Sequence, residues 1–131
     1  MMYALDTNAV IHFFKGKGKV AERLLATPPG QIAIPAIVLF ELERGARNLA
    51  GGAGRMERLA RFVSAITVLP FDAHAASVAA QIALHLQSLG QPIGPFDTLI
   101  AATAHAQGAT LVTHNSNEFS RVPGLIIEDW Y

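Results

Sequence analysis

Short apolar runs alternate with longer amphipathic stretches along the whole chain. Residues 2–5 form an apolar run that stops at Asp6 and predict a buried strand. Asp6, Thr7 and Asn8 offer capping side chains ahead of Ala9-Val10-Ile11-His12-Phe13-Phe14, which predicts a helix. Two glycines between Lys15 and Lys19 break that helix, a helical pattern resumes over residues 20–26, and Pro28-Pro29-Gly30 ends it. Residues 31–34 predict a second strand, and Pro35 suits the first turn of a helix reaching Leu49. Gly51, Gly52 and Gly54 predict a flexible turn, and the stretch after it puts Met56, Leu59, Ala60 and Val63 on one helical face. Thr67–Leu69 predicts a third strand. Asp72 caps an alanine-rich helix that runs to Leu89 and is closed by Gly90. Residues 91–96 form a Pro/Gly loop, Asp97 opens a helix to Gln107, and Gly108 closes it. Residues 110–113 predict a fourth strand, and Ile126 with Ile127 a short fifth. Strands separated by helices favour a parallel sheet covered on both faces, an α/β architecture.

Composition narrows the class. The chain has 131 residues, which fits one domain spanning 1–131, and it is 51% hydrophobic and 15% charged, a profile that fills a core. With no cysteine, it holds neither a disulfide framework nor a zinc–thiolate site. The N-terminal residues lack the basic start and apolar stretch of a signal peptide, and no apolar run approaches the ~18 residues of a membrane span. The expected setting is cytoplasmic. The formal net charge is zero, yet the charges are segregated: nine of the ten Lys/Arg fall within residues 1–65, while the acids divide evenly between the two halves. A basic region is compatible with a carboxylate site and a nucleic-acid partner when a metal neutralises the carboxylates. It is also what an ordinary solvated helix face looks like.

Three acids stand out. Asp6 follows the first strand, and ligands of open parallel sheets bind beyond the carboxyl ends of the strands; an Asp there also serves simply as a helix cap. Glu41 is the one charge in Pro-Ala-Ile-Val-Leu-Phe-Glu-Leu and shares a helix face with Val38, Leu42 and Gly45. A carboxylate on an inward face needs a partner, either a cation or an arginine such as Arg44. Glu43, by contrast, has Arg47 four residues on and suits a solvated pair. Asp97 follows Gly-Pro-Phe at the head of an apolar helix, as a cap or as a carboxylate aimed into a cleft. Thr113-His114-Asn115-Ser116-Asn117-Glu118 after the fourth strand either lines the same cleft or forms a plain polar loop. Hard divalent cations take oxygen ligands, and Mg²⁺ is held by few carboxylates plus waters. Such an ion activates water and stabilises charge on a phosphate, so three converging acids point to a metal-dependent phosphodiester hydrolase.

Leu5-Asp6-Thr7-Asn8 resembles the first motif of PIN domains, the VapC-type toxins of type II toxin–antitoxin systems especially. Glu41, followed by Leu42 and Gly45-Ala46, resembles the second motif. Ile93-Gly94-Pro95-Phe96-Asp97-Thr98-Leu99-Ile100-Ala101-Ala102 resembles the third. Leu111-Val112-Thr113-His114-Asn115, Glu118-Phe119, Val122-Pro123-Gly124-Leu125 and Glu128-Asp129-Trp130 resemble the closing segment. The resemblance covers nearly the whole chain in the right order. It implies a three-layer α/β/α domain with a central parallel sheet of four to five strands. It also implies an Mg²⁺- or Mn²⁺-dependent endoribonuclease acting on structured RNA, often tRNA, a small antitoxin that blocks the site, and a homodimer. Asp6, Glu41 and Asp97 are then the metal-binding, catalytic acids. The fourth position is open between Asn115 and Glu118; many relatives carry Asp where this chain has Asn115, and an amide is a weaker ligand. Thr7 and Thr113 are candidates to hold a carboxylate or a metal-bound water, or are plain caps. Lys15, Lys17, Lys19, Arg44 and Arg47 are candidate phosphate contacts, which position RNA without reading its sequence. His12 and His114 lie near the expected cleft with no role assigned.

Three rivals stay in view. A phosphatase of the haloacid-dehalogenase type also begins with an Asp after strand one, but needs a second acid two residues on, where this chain has Asn8. A catalytically weak interaction module on the same fold accommodates the amide at Asn115. A PIN nuclease working outside toxin–antitoxin systems shares every motif.

Overall fold

The structure, a computed structural model, describes residues 1–48 and 50–131. Leu49, the expected end of the second long helix, lies outside the described residues. Five parallel strands make one sheet: β1 (Tyr3–Leu5), β2 (Ile32–Pro35), β3 (Thr67–Leu69), β4 (Thr110–Val112) and β5 (Ile127–Glu128). Their order across the sheet is β3-β2-β1-β4-β5, and every neighbouring pair is parallel. Among the described residues seven α-helices flank it: α1 (Thr7–Phe14), α2 (Val20–Leu25), α3 (Ala36–Arg47), α4 (Gly52–Ser64), α5 (Ala73–Ser88), α6 (Pro95–Ala106) and the single-turn α7 (Ser116–Phe119). This is the three-layer α/β/α arrangement expected from the alternation of strands and helices.

The central strands are apolar on both faces because helices cover both. All of β2 and β4, and Ala4 and Leu5 of β1, are buried. Leu5, Ile32, Ile34, Leu111 and Val112 form the middle of a core completed by Val10, Val38, Ile100, Phe119 and Trp130 from the connecting elements. Edge strand β3 runs exposed, half-buried, buried, and β5 is half-buried throughout. Trp130, beyond β5, is 2% exposed; its Nε1 donates to Glu128 Oε1 at 3.0 Å, and its ring lies 5.1 Å from Tyr3 and under the Arg23 guanidinium. Among the described residues no helix is long and apolar enough to cross a membrane.

The structure departs from the sequence pattern at four places. Pro35 closes β2, paired with Leu69, and α3 begins one residue later. Gly52 and Gly54 lie inside α4 rather than in a flexible turn. A Cβ on Gly52 would meet the Ala46 carbonyl oxygen at 2.9 Å, so this glycine permits close contact between consecutive helices, while Gly51, at φ +76°, makes the turn itself. Helix α6 starts at Pro95, not at Asp97: proline occupies the first helical position, where its missing N–H costs nothing, and Asp97 falls in the first turn behind it. Residues 116–119 form a helical turn where a plain loop was an equal reading.

Leu111 is fully buried in the middle of the sheet. Leu111→Ala should destabilise the fold by about 2–5 kcal/mol. Urea unfolding followed by the fluorescence of the one tryptophan, Trp130, measures it. An unchanged midpoint would mean that β4 is not the centre of the core.

Candidate active site

In the order β3-β2-β1-β4-β5 the chain builds outward from β1 in one direction, then resumes on the other side with β4. The carboxyl ends of β1 and β4 flank the point where that direction reverses, the usual ligand site of open α/β sheets. Leu5 pairs with Val112. The next residues on each strand, Asp6 and Thr113, therefore meet at the strand ends, with the Asp6 N–H donating to the Val112 carbonyl at 3.1 Å.

Asp6 caps α1, its Oδ1 accepting from the Ala9 N–H at 2.8 Å. The cap and the site are one residue, so the two readings of Asp6 do not compete. Its carboxyl is pushed up from the ordinary range chiefly by burial, opposed by hydrogen bonds from Thr113 and the Ala9 N–H, raised again by the charge of Glu41 and lowered by His12. The Thr113 hydroxyl also accepts from the Asn115 N–H at 2.9 Å, and this fixes the turn after β4.

Glu41 comes to the same place from α3. Val38 and Leu42 on its face are buried while Glu41 itself is half-buried, and its Oε1 accepts from the Thr7 hydroxyl at 2.7 Å. No arginine pairs with it among the described residues. Arg44 instead lies over the rings of Phe40 and Phe96, 5.0 and 5.6 Å from their centroids. Glu43 and Arg47 form the exposed pair that their spacing suggests, at 3.1 Å.

Asp97 sits in the first turn of α6 with its side chain folded toward Gly94, where an added Cβ would lie 3.5 Å from its Oδ2. The positive end of a helix ordinarily favours a carboxylate there, yet Asp97 is pushed up to about 6. Burial is the largest cause, followed by the charges of Glu118, Glu41 and Asp6. Four carboxylates are therefore near enough to act on one another, and neither lysine nor arginine is among the groups that offset them at Asp6 or Asp97. Among the described residues, no three acidic or histidine side chains are already gathered closely enough to hold an ion as they stand.

Of the two candidates for a fourth position, Glu118 on α7 belongs to this cluster. Asn115 caps α7 through its backbone alone and is exposed. Lys15, Lys17, Lys19, Arg44 and Arg47 are all exposed. Of these, Lys15 lines with Glu41, Arg55 and Arg58 a cavity of about 410 Å³ between α1, α3 and α4. Arg44 and Arg47 face a different groove, beside Phe40. Arg55 and Arg58 were not singled out by sequence, because a basic residue on an amphipathic helix is unremarkable until a neighbouring helix faces it. Tyr131 was also missed: its phenol, pushed up to about 12 by burial and by Asp6 and Asp129, stands close to the acids. Its signal was positional, since β5 is parallel to β4 and must deliver residues 129–131 to the same sheet edge.

The comparisons agree with this geometry. The model of the PIN domain matches residues 3–125. The tRNA(fMet)-specific endonuclease VapC of Shigella flexneri is 38% identical over 130 residues, 99% of this chain and 98% of that protein. Ribonuclease VapC2 of Rickettsia felis is 36% identical over 132 residues, with the same coverage. The crystal structure of VapBC2 from Rickettsia felis, bound to a DNA fragment from its promoter, superposes with a TM-score of 0.93 at 34% identity, over 100% of both chains. With its fold, strand-end acids and full-length relatives in agreement, the chain belongs to the PIN-domain family.

Proposed function

We propose that this chain, a single PIN domain over 1–131, is the endoribonuclease toxin of a toxin–antitoxin pair. In this reading it works in the cytoplasm and hydrolyses phosphodiester bonds of structured RNA, tRNA first among them, with Mg²⁺ or Mn²⁺ held by Asp6, Glu41 and Asp97. Full-length similarity to proteins named as ribonucleases and to a VapBC structure supports the activity and a small antitoxin partner. The observation that carries the metal assignment is the group of four carboxylates, with Glu41, Glu118 and Asp6 all acting on Asp97 and no lysine or arginine offsetting Asp6 or Asp97. PIN-domain nucleases are in general divalent-metal dependent, and an all-oxygen donor set of this kind suits a hard cation.

When bound, a divalent cation supplies Lewis acidity to a phosphoryl oxygen and lowers the pKa of its water. The chain's own residues do the rest. The Ala9 N–H and the Thr113 hydroxyl orient Asp6, the Thr7 hydroxyl holds Glu41, and the head of α6 presents Asp97. Glu118 is the better fourth acid, since it acts on Asp97 and carries the charge that Asn115 lacks. Lys15, with Arg55 and Arg58 across the neighbouring cavity, is placed to meet RNA phosphates.

The test is cleavage of a total-tRNA pool by wild type and Asp97→Asn, each with Mg²⁺, Mn²⁺ or excess EDTA. Discrete fragments are expected from wild type with metal only; fragments persisting in EDTA or in the variant would refute the assignment. Thr7→Ala removes the donor that orients Glu41 and should cut metal affinity or activity by about 10–100-fold; wild-type titration curves would make Thr7 a mere helix residue. The pH dependence has a definite sign. A carboxyl with a raised folded-state pKa binds more protons folded than unfolded, so its contribution to stability falls as pH rises. Asp97 therefore destabilises the metal-free fold fully above about 6 and not at all below its ordinary 3.8. In EDTA, Asp97→Asn should raise the urea midpoint at pH 7.5, and the gain should shrink steadily toward pH 4. Equal gains at both ends would mean that the ionised, partly buried carboxylate of Asp97 is not the cause.

A further inference from the structure

Beside the carboxylates stands a stack of three polar rings that the hydrolytic chemistry does not use. Tyr131 lies between His12 and His114, its centroid 4.3 Å from each, with interplanar angles of 46° and 12°. Its hydroxyl is 3.2 Å from His12 Nδ1, which is also 3.0 Å from the Asn8 carbonyl oxygen. Asp129 clamps the other end: its Oδ2 is 2.9 Å from His114 Nδ1, and its Oδ1 accepts from the Tyr131 N–H at 3.0 Å. Tyr131 is thus held by a stacked ring from His114 and a tilted one from His12. His114 is stacked on one side only, and its side chain is 64% exposed.

Two further contacts locate the stack. The Tyr131 phenol is close enough to Asp6 for that charge to act on it. His114 itself follows Thr113, the hydroxyl of which holds Asp6. The loop of Lys17, Gly18 and Lys19 passes over Tyr131, with a Cβ position on Gly18 3.9 Å from the Tyr131 backbone. A flat ring with one open face, set next to a catalytic cluster and flanked by lysines, has the make-up of a single-stranded nucleic acid subsite: an aromatic surface for a base and cations for the phosphates. Core packing does not account for it, since the neighbouring Trp130 is buried and fills that role.

We propose that the open face of His114 stacks the base of an unpaired nucleotide adjoining the cleaved phosphate, with Tyr131 and Asp129 as positioning residues that hold the imidazole plane. The subsite rests on RNA cleavage at the Asp6, Glu41, Asp97 cluster. It selects for an unstacked base, so it directs cutting to loops rather than to paired stems.

The test compares wild type with His114→Ala, His114→Asn and His114→Trp. Asparagine keeps a donor for Asp129 without a ring, and tryptophan supplies a larger ring. Kinetics are read on total tRNA. Binding is read by fluorescence anisotropy of a labelled, random-sequence single-stranded RNA, with every protein also carrying Asp97→Asn so that the probe stays intact. The alanine and asparagine variants should raise KM and weaken probe binding by about ten-fold, with kcat and thermal midpoint unchanged, and tryptophan should restore both. Variants that cleave and bind like wild type would overturn the subsite and leave the nuclease standing. So would a loss of kcat at constant KM, a tryptophan variant no better than alanine, or an asparagine variant that binds as tightly as wild type. A wild type that neither cleaves tRNA nor binds the probe would overturn both the subsite and the nuclease reading.

Discussion

Strand β1 is three residues long and is hydrogen-bonded to β2 on one side and β4 on the other. The registers set by those pairings decide where every functional side chain ends up. Leu5 opposite Val112 puts Asp6 beside Thr113, and Val112 opposite Glu128 puts Thr113 beside Asp129. Asp6, Thr113 and Asp129 thus follow one another across the end of the sheet, the first two directly beyond the buried Leu5 and Val112. A slip of one residue in either pairing would exchange the side chains packed on the two covered faces, which close packing on both sides of β1 and β4 resists. Core packing therefore holds the registers on which the site is built, and the core residues Ala9 and Val112 touch Asp6 through their backbone.

Charge works against this arrangement. Burial alone raises a carboxyl, and here Asp6 and Asp97 are raised further by their own kind. Local hydrogen bonds offset part of the strain: the head of α1 and Thr113 serve Asp6, and Thr7 serves Glu41. What remains uncompensated is negative charge in a partly desolvated cleft, which a hard cation relieves. Of the basic residues of the first half, Lys15, Arg55 and Arg58 line the cavity beside Glu41, while Arg44 and Arg47 face another groove. A net charge of zero conceals this separation.

The alternation of strands and helices carried the fold, because a parallel sheet with both faces covered leaves apolar runs that few other structures produce. Glu41 was legible for a related reason, as a charge in an otherwise apolar helix face. Asp97 was placed one step wrong: its type and position suggested a cap, but Gly94-Pro95 starts the helix earlier and leaves the acid free in the first turn. The choice between Asn115 and Glu118 was not legible, because it depends on how one turn of helix, separated from α6 by β4 alone, brings Glu118 toward Asp97. The place of Tyr131 and Asp129 beside the acids was not legible for a different reason. Their position is set by the β4–β5 pairing, and β5 is too short to announce its own register.

Asp6 serves two masters with one carboxyl, the first turn of α1 and the acidic cleft. Alanine there strips a helix of its cap as well as a site of its acid, and the loss of activity in such a protein says nothing about chemistry. Asparagine keeps an oxygen for the Ala9 N–H and gives up only the charge. The position thus separates the fold from the charge of the cleft by a single amide, an exchange at this residue that leaves the helix its cap while removing the acid.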